Sequence, residues 1–162
     1  MIRKLFAKKK IKQIQYSDTT KLKVSEFSYH PKIILAWAKA IEGDSKFLEF
    51  LNTNNFKELV MATYAIQLKE AARNWLMENG YPHVMAMINA AEGNEKALKW
   101  LEMNNFEVFY HMAKAIDHEN ESFKWLNKHA SQDIYILTKS IQKVKDLIEA
   151  IHNDIHLKGK DF

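Results

Sequence analysis

The sequence predicts an all-α protein: a right-handed α-solenoid of about five helical hairpins, each 25 residues long, with a longer helix at the C-terminal end. Three columns of residues recur with this period. They are the alanines Ala40, Ala65, Ala90 and Ala115, the leucines Leu51, Leu76, Leu101 and Leu126, and the aromatic residues before those leucines, Phe50, Trp75, Trp100 and Trp125. The chain also has only four glycines and two prolines, which argues against a β-sandwich with many turns.

The composition is that of a globular chain, because 47% of its 162 residues are hydrophobic and 27% are charged. The absence of cysteine excludes a disulfide framework and a thiolate metal site. The longest apolar stretch, 33–38, is far shorter than the ~18 residues of a membrane span. The first residues lack the apolar core of a secretory signal, so we expect a cytoplasmic protein.

The positive charge is concentrated in an N-terminal arm and possible cap, residues 1–31. Residues 1–32 hold nine of the 24 basic residues and two of the 20 acids, a net charge of +7, whereas the whole chain carries +4. The basic arm comprises Arg3, Lys4, Lys8, Lys9, Lys10 and Lys12. It is interpreted as a solubilising tail, a tether to a membrane surface or acidic partner, or a contact with nucleic acid. Leu22, Val24 and Phe27 could pack on the first unit as a cap.

The repeat divides the body into five units, 32–56, 57–81, 82–106, 107–131 and 132–156. Each of the first four is predicted to hold two short helices, because apolar residues such as Ile34 and Trp37, then Leu48 and Leu51, fall on one face of each. Helices of ~10 residues are marginal alone. The units must therefore stack, with first helices on the inner side and second helices on the outer side. The tryptophans are predicted to be core.

Local signals mark the helix ends. Pro31 and Pro82 are typical of helix starts, where a missing N–H costs nothing. Left-handed stops are predicted at Gly43 and Gly93 within the units and at Asn55, Gly80 and Asn105 between them. N-caps are predicted at Asp44 and Asn94.

The fifth unit is predicted to be one long helix, about 132–156, followed by a tail at 157–162. Its apolar residues are spaced alternately three and four apart: Ile134, Leu137, Ile141, Val144, Ile148, Ile151 and Ile155. This seam could cap the fourth unit or form a coiled-coil dimer through 134–155. The flanking positions show no clear charge code, which favours the cap and a monomer.

One stretch, NAAEGNEKALKWLEMNNF (89–106), combines paired alanines, a glycine turn, an apolar second helix and an asparagine stop. It resembles the helical half of an ankyrin repeat. The ankyrin opening Thr-Pro-Leu-His and the β-finger are absent, and the period is 25 residues instead of ~33. The resemblance, to ankyrin-like helix pairs without the β-finger, implies a protein-binding scaffold.

A ridge on the first helices varies between units while its neighbours stay apolar. On the concave side of a solenoid it would face a partner, and its mixed chemistry suits recognition of a protein or peptide. The ridge comprises Lys39, Met61, Tyr64, Ala86, Asn89, His111 and Lys114. We therefore expect a non-enzymatic scaffold that binds a protein or peptide on its concave face. The alternatives are an ordinary solvated ridge and a nucleic-acid-binding helical-repeat protein that uses the basic arm.

Histidines are the main candidates for catalysis or metal binding. His152 and His156 share a helix face four residues apart, but the sequence specifies no third ligand. The others, His30, His83, His111, His118 and His129, fall in different columns and are expected to face solvent or a partner. Phosphate-binding loops, dinucleotide fingerprints and nucleophile motifs are absent. We expect no enzyme activity, cofactor or metal site.

Overall fold

The computed structural model describes residues 11–16 and 20–158, with side chains from 24 to 156. Within this part the chain is mainly α-helical. Its helices are α1 (Pro31–Ile41), α2 (Ser45–Thr53), α3 (Lys57–Ile66), α4 (Glu70–Glu78), α5 (Pro82–Ala91), α6 (Glu95–Met103), α7 (Glu107–Ile116), α8 (Asn120–His129) and α9 (Gln132–Lys158). The α-helical prediction is confirmed for this region.

An antiparallel hairpin precedes the helices, with β1 at Ile11–Tyr16 and β2 at Thr20–Ser25. The sequence analysis did not predict these strands. The signal was the period-two alternation in TKLKVS, where lysines alternate with Leu22 and Val24. The amide of Ser25 donates to the Gly80 carbonyl at 2.7 Å and joins the end of β2 to the helices.

The helices follow the predicted 25-residue spacing. First helices begin at 57, 82, 107 and 132, and second helices begin at 45, 70, 95 and 120. Pro31 and Pro82 open helices as predicted. The Asp44 side chain accepts from the Lys46 amide, and the Asn94 side chain accepts from the Ala97 amide, each at 3.0 Å, which confirms both caps.

Left-handed residues stand at every joint between paired helices. Gly43 (φ 100°) and Gly93 (φ 92°) were predicted, whereas Leu68 (φ 65°) and His118 (φ 71°) were not. At the joints between pairs, the predicted residues Asn55, Gly80 and Asn105 also have positive φ. Each is followed by an aromatic residue whose amide returns to the second helix, as in the 2.9 Å bond from Phe56 to the Leu51 carbonyl.

The first helices make a closed series of contacts. α1 packs on α3, α3 on α5, α5 on α7, α7 on α9, and α9 packs directly on α1. An open row of hairpins would have kept its first and last members apart. The closure buries large side chains from each of these helices, among them Trp37, Leu59, Met87, Met112 and Leu137.

Polar contacts reinforce the closure between α1 and α9. Glu42, just after α1, accepts hydrogen bonds from the Ser140 hydroxyl at 2.6 Å and from the Lys143 ammonium at 3.2 Å. The Ser140 hydrogen bond is the main cause that lowers the Glu42 pKa below its ordinary value. On the α7 side, His118 contacts Asp146 at 2.8 Å. All these contacts lie at the C-terminal ends of α1 and α7.

The single long helix predicted at the C-terminal end is confirmed as α9, which extends to Lys158. Its first half is covered by α1, α7 and α8. At 1.5 Å per residue, its 27 residues span about 40 Å, against about 16 Å for α1. From 147 onward α9 therefore continues beyond the helices that cover it.

Candidate functional site

A cavity of about 490 Å³ lies where the N-terminal ends of the first helices meet. One wall is formed by residues 24–29, here called the strap, which joins β2 to α1. The opposite walls come from Ile34 of α1, His83 of α5, Phe109 of α7 and Ile134 of α9. Four helices far apart in sequence thus contribute to one site, which depends on the closed arrangement.

Phe27 anchors the strap among aromatic rings. Its ring makes edge contacts with Tyr29 at 4.9 Å, Trp37 at 5.5 Å, Phe109 at 5.6 Å and His83 at 6.0 Å between centroids. Such edge-to-face pairs stabilise beyond the area they bury. The strap is therefore held against three first helices by one side chain.

His83 is the most unusual polar residue of the cavity. It is only 2% exposed, and the Ser25 backbone is the hydrogen-bonding group beside its ring. Its ring lies among Tyr81, Phe106 and Phe109, at 5.3–6.2 Å between centroids. Burial disfavours the charged imidazolium and lowers the His83 pKa to about 4, while the nearby Ser25 backbone weakly opposes the shift. The prediction that this histidine faces solvent or a partner was wrong, because its ring is packed among aromatic residues of the core.

Carboxylates surround the cavity. Glu26, Glu107 and Asp133 line it, and the described lining residues include no lysine or arginine. Asp133 is buried. Close by, the buried Glu58 of α3 accepts a hydrogen bond from the Tyr29 hydroxyl of the strap at 2.6 Å. The charged residues among the described lining of the cavity are therefore all acidic.

A sequence signal for this site existed in one column of the repeat. Its members are Ile33, Glu58, His83, Val108 and Asp133, spaced by 25 residues. Glu58, His83 and Asp133 are all buried. Titratable residues in a column that holds isoleucine and valine elsewhere indicate a polar site within the core, and our sequence analysis missed it.

The predicted concave ridge is largely engaged in contacts within the molecule. The Lys69 ammonium lies 4.6 Å from the Tyr64 ring centroid. The Asn89 side chain accepts from Arg73 at 3.3 Å. The Lys114 ammonium is 2.8 Å from Glu119, which raises the Lys114 pKa and lowers that of Glu119.

The remaining ridge residues are placed differently from one another. His111 stacks on Trp125 with 3.9 Å between centroids, and burial lowers its pKa. Ala86 is buried, Met61 is half-buried and Lys39 is exposed. The structure therefore places these residues in separate local contacts, most of them with second helices or the joints before them.

The tryptophan column is only partly enclosed. Trp100 is buried, whereas Trp75 and Trp125 are half-buried. Trp75 stacks on Tyr81, and the Lys57 ammonium lies 5.2 Å from its ring centroid. The core prediction holds for Trp100 and is only partly met by the other two.

The structure describes the histidine pair of α9 but not the side chains of the basic arm. Arg3, Lys4, Lys8, Lys9 and Lys10 lie outside the described residues. So do the Leu22 side chain and the Lys12 side chain, although β1 and β2 include their backbone. His152 and His156 lie 6.5 Å apart between ring centroids on α9, and nowhere in the described ranges do three histidine, aspartate or glutamate residues gather as a metal-ligand set.

A second feature is an apolar stripe on the C-terminal half of α9. Leu147, Ile151 and Ile155 are 59%, 52% and 64% exposed, at intervals of four residues. Residues four apart share one helix face. Ile151 and Ile155 continue the seam that packs on the other helices through Leu137 and Ile141, and Leu147 lies beside that seam.

These features define a protein of consecutive helix pairs, with a polar cavity at one end and a projecting helix at the C-terminal end. Comparisons with protein-family models, curated proteins and solved structures found no match to this chain. Across the described residues, none of the helices has the length and apolar character that crossing a membrane requires.

Proposed function

We propose that this protein is a non-enzymatic scaffold of 25-residue helix pairs, arranged as a right-handed superhelix, that binds a protein partner through α9. One observation carries this proposal: the exposed stripe of Leu147, Ile151 and Ile155. Isolated exposed apolar residues are ordinary, but a contiguous apolar stripe on a projecting helix is typical of an interaction surface. The concave ridge is a weaker candidate, because most of its residues already have contacts within the molecule.

The expected partner element is an amphipathic helix. The helices α1 and α7 pack on α9, and a further helix can pack on the exposed part of α9 in the same way. The helix positions next to the stripe hold the apolar Ile148 and Ala150 and the charged Lys143 and Asp154. The association should therefore combine apolar burial with ion pairs at the edge of the stripe.

A second copy of this chain is a poorer occupant. The free part of α9 is about three turns long, so two such segments face to face would bury well under the ~800 Å² per partner of a standard interface. A separate protein can add contacts with neighbouring surfaces and reach that area. A dimer through the α9 stripe is therefore not expected for the free chain.

Site-specific crosslinking in cells tests this proposal. A photoreactive phenylalanine analogue replaces Leu147 in one variant and the exposed Lys124 of α8 in a control variant. We expect a crosslinked protein only with the Leu147 variant, and we expect the purified protein to bind the full chain in calorimetry. Ile151→Asp should weaken that binding by at least about tenfold, whereas Lys128→Asp on α8 should not.

Two results would contradict the partner role of α9. One is equal binding by the wild type and Ile151→Asp. The other is crosslinked products made only of two copies of this chain. The salt dependence of the measured affinity distinguishes protein binding from the alternative, nucleic-acid binding. Binding to phosphates through the basic arm would weaken steeply as the salt concentration rises, and it would be lost on removal of residues 1–12.

A further inference from the structure

The contact between α1 and α9 lacks a helix that the other contacts between neighbouring first helices have. In each of those contacts a second helix packs on both neighbours: α2 on α1 and α3, α4 on α3 and α5, α6 on α5 and α7, and α8 on α7 and α9. The helix α9 continues straight to Lys158, so no second helix follows it within the described residues. One second-helix position of the closed arrangement, here called the open position, is therefore unfilled.

The helix α8 shows which side chains a second helix covers on its two neighbours. On the first helix that follows, the Phe123 ring contacts the Tyr135 ring at 5.6 Å between centroids, and the Lys139 ammonium lies 3.7 Å from the Phe123 centroid. On the first helix that precedes, Trp125 stacks on His111 at 3.9 Å between centroids. The equivalents of these covered residues on α1 and α9 should therefore border the open position.

Two large apolar side chains are left exposed at these equivalent places. On α1, Leu35 is 37% exposed, whereas Val60 and Met85, its equivalents on α3 and α5, are buried. On α9, the equivalent of His111 is Ile136, which is 40% exposed. Since α1 and α9 pack on each other, the missing second helix accounts for both exposed side chains.

The α1 side of the open position carries positive charge. Lys32, Leu35 and Lys39 are spaced three and four residues apart, so they share one helix face, and all three are exposed. The neighbouring acid, Glu42, is already hydrogen-bonded to side chains of α9. An aromatic ring suits this place, because the face of a ring attracts an ammonium group and its body packs on an apolar side chain.

The open position is continuous with the α9 stripe. Leu147 follows Ile136 by about three turns and lies on the same face of α9. These three turns span about 16 Å, and the 10 residues of α8 span about 15 Å. A helix of the size of the chain's own second helices therefore reaches from the α1–α9 contact to the stripe.

We infer that an amphipathic helix of the partner packs in the open position as a fifth second helix. It presents two aromatic residues two positions apart, as α8 presents Phe123 and Trp125. The first ring packs on Leu35 and below the Lys39 ammonium, and the second ring packs on Ile136. The inference deepens the proposed partner role of α9 and rests on it, because it assigns the place and the chemistry of the partner helix.

A stapled peptide with the sequence of residues 119–130 is the probe, since it carries the aromatic pair of α8. The staple joins positions 124 and 128, which are exposed in α8, and it holds a helix that is marginal in isolation. Binding to the full wild-type chain is followed by NMR through the methyl resonances of Leu35 and Ile136. We expect both resonances to shift and to saturate, and Trp125→Ser in the peptide to weaken binding at least about tenfold.

Protein variants assign the binding to the open position. Leu35→Glu should weaken peptide binding at least about tenfold, whereas Met103→Glu, the same change at an exposed apolar position of α6, should leave it unchanged. Absence of shifts at Leu35 and Ile136 with millimolar peptide, or equal binding by the wild type and Leu35→Glu, would overturn the inference. So would shifts confined to His111 and Tyr135, because the peptide would then have displaced α8.

Crosslinking in cells separates this inference from the proposed function. A photoreactive phenylalanine analogue at position 35 should crosslink to the same protein as the analogue at position 147. If only position 147 captures that protein, the partner role of α9 stands and the inference about the open position is overturned. If neither position captures a protein, the proposed function fails as well.

Discussion

His83 shows how a single buried residue sets a pH dependence. Folding lowers its pKa from the ordinary value of 6.5 to about 4, because burial disfavours the imidazolium. Between these values the unfolded chain binds a proton that the folded protein does not. The stabilisation that comes from neutral His83 is therefore complete above pH 6.5 and is lost as the pH falls towards 4.

The expected loss is about 3 kcal/mol in the free energy of unfolding between pH 6.5 and pH 4. His83→Phe keeps a ring at the same place and removes the titrating group, so its stability should fall less over this range. Urea unfolding of both proteins at several pH values measures the difference. If the free energy of unfolding fell equally with pH in the two proteins, His83 would have an ordinary pKa in the folded state, and the account would be contradicted.

At the residue scale, the sequence predicted the helix starts, stops and caps that depend on the intrinsic preferences of single residues. Pro31, Gly43 and Asp44 stand where their backbone or capping chemistry suits them. The burial of His83 was not predictable in this way, because it follows from the place of its column in the assembled core. The repeat column itself carried the information, since apolar residues occupy the same place in other units.

The joints between helices carry the next prediction. Leu68 occupies a left-handed position (φ 65°) that Gly43 and Gly93 occupy in other units, and it is 48% exposed. The backbone of a residue with a Cβ is strained at this φ. Because the Leu68 side chain is only partly buried, its burial offsets only part of that strain. Leu68→Gly should raise the free energy of unfolding by up to about 1 kcal/mol, because relief of the left-handed strain, about 1–2 kcal/mol, exceeds the entropic cost of glycine, about 0.5–1 kcal/mol. Urea unfolding measures the change.

Gly43→Leu is the matched control for this prediction. No atom lies within 4 Å of a Cβ built at Gly43, so backbone strain is the main effect, and stability should fall by about 1 kcal/mol. A loss of stability in Leu68→Gly would contradict the account of the joint. It would mean that the contacts of the leucine side chain outweigh its backbone strain.

At the element scale, the helix pairs were predictable and the hairpin was not. A fixed period supplies several independent observations of the same helix, as at the starts of α3, α5 and α7. The hairpin occurs once, so its alternation in TKLKVS had no repetition to support it. The length of α9 was predictable because its three-and-four spacing continues without a glycine or asparagine stop.

At the scale of the whole molecule, closure decides where the sites lie. The contact of α1 with α9 brings together residues almost a hundred positions apart, as in the hydrogen bond between Ser140 and Glu42. Sequence columns report only how each unit meets the next. Closure depends on the sum of small rotations between pairs, which no single column encodes. These rotations bring α1 next to α9, and Ile34 and Ile134 therefore line the same cavity.

The distance between the two ends of the helical region tests this account most directly. The chain has no cysteine, so Lys39→Cys on α1 and Lys143→Cys on α9 provide two sites for spin labels in the full chain. Packed helices lie 8–10 Å apart, so we expect a single narrow distance distribution at about 15–25 Å. An open row of five units would separate the ends by about 35–40 Å, and a distribution centred there would contradict the closed arrangement.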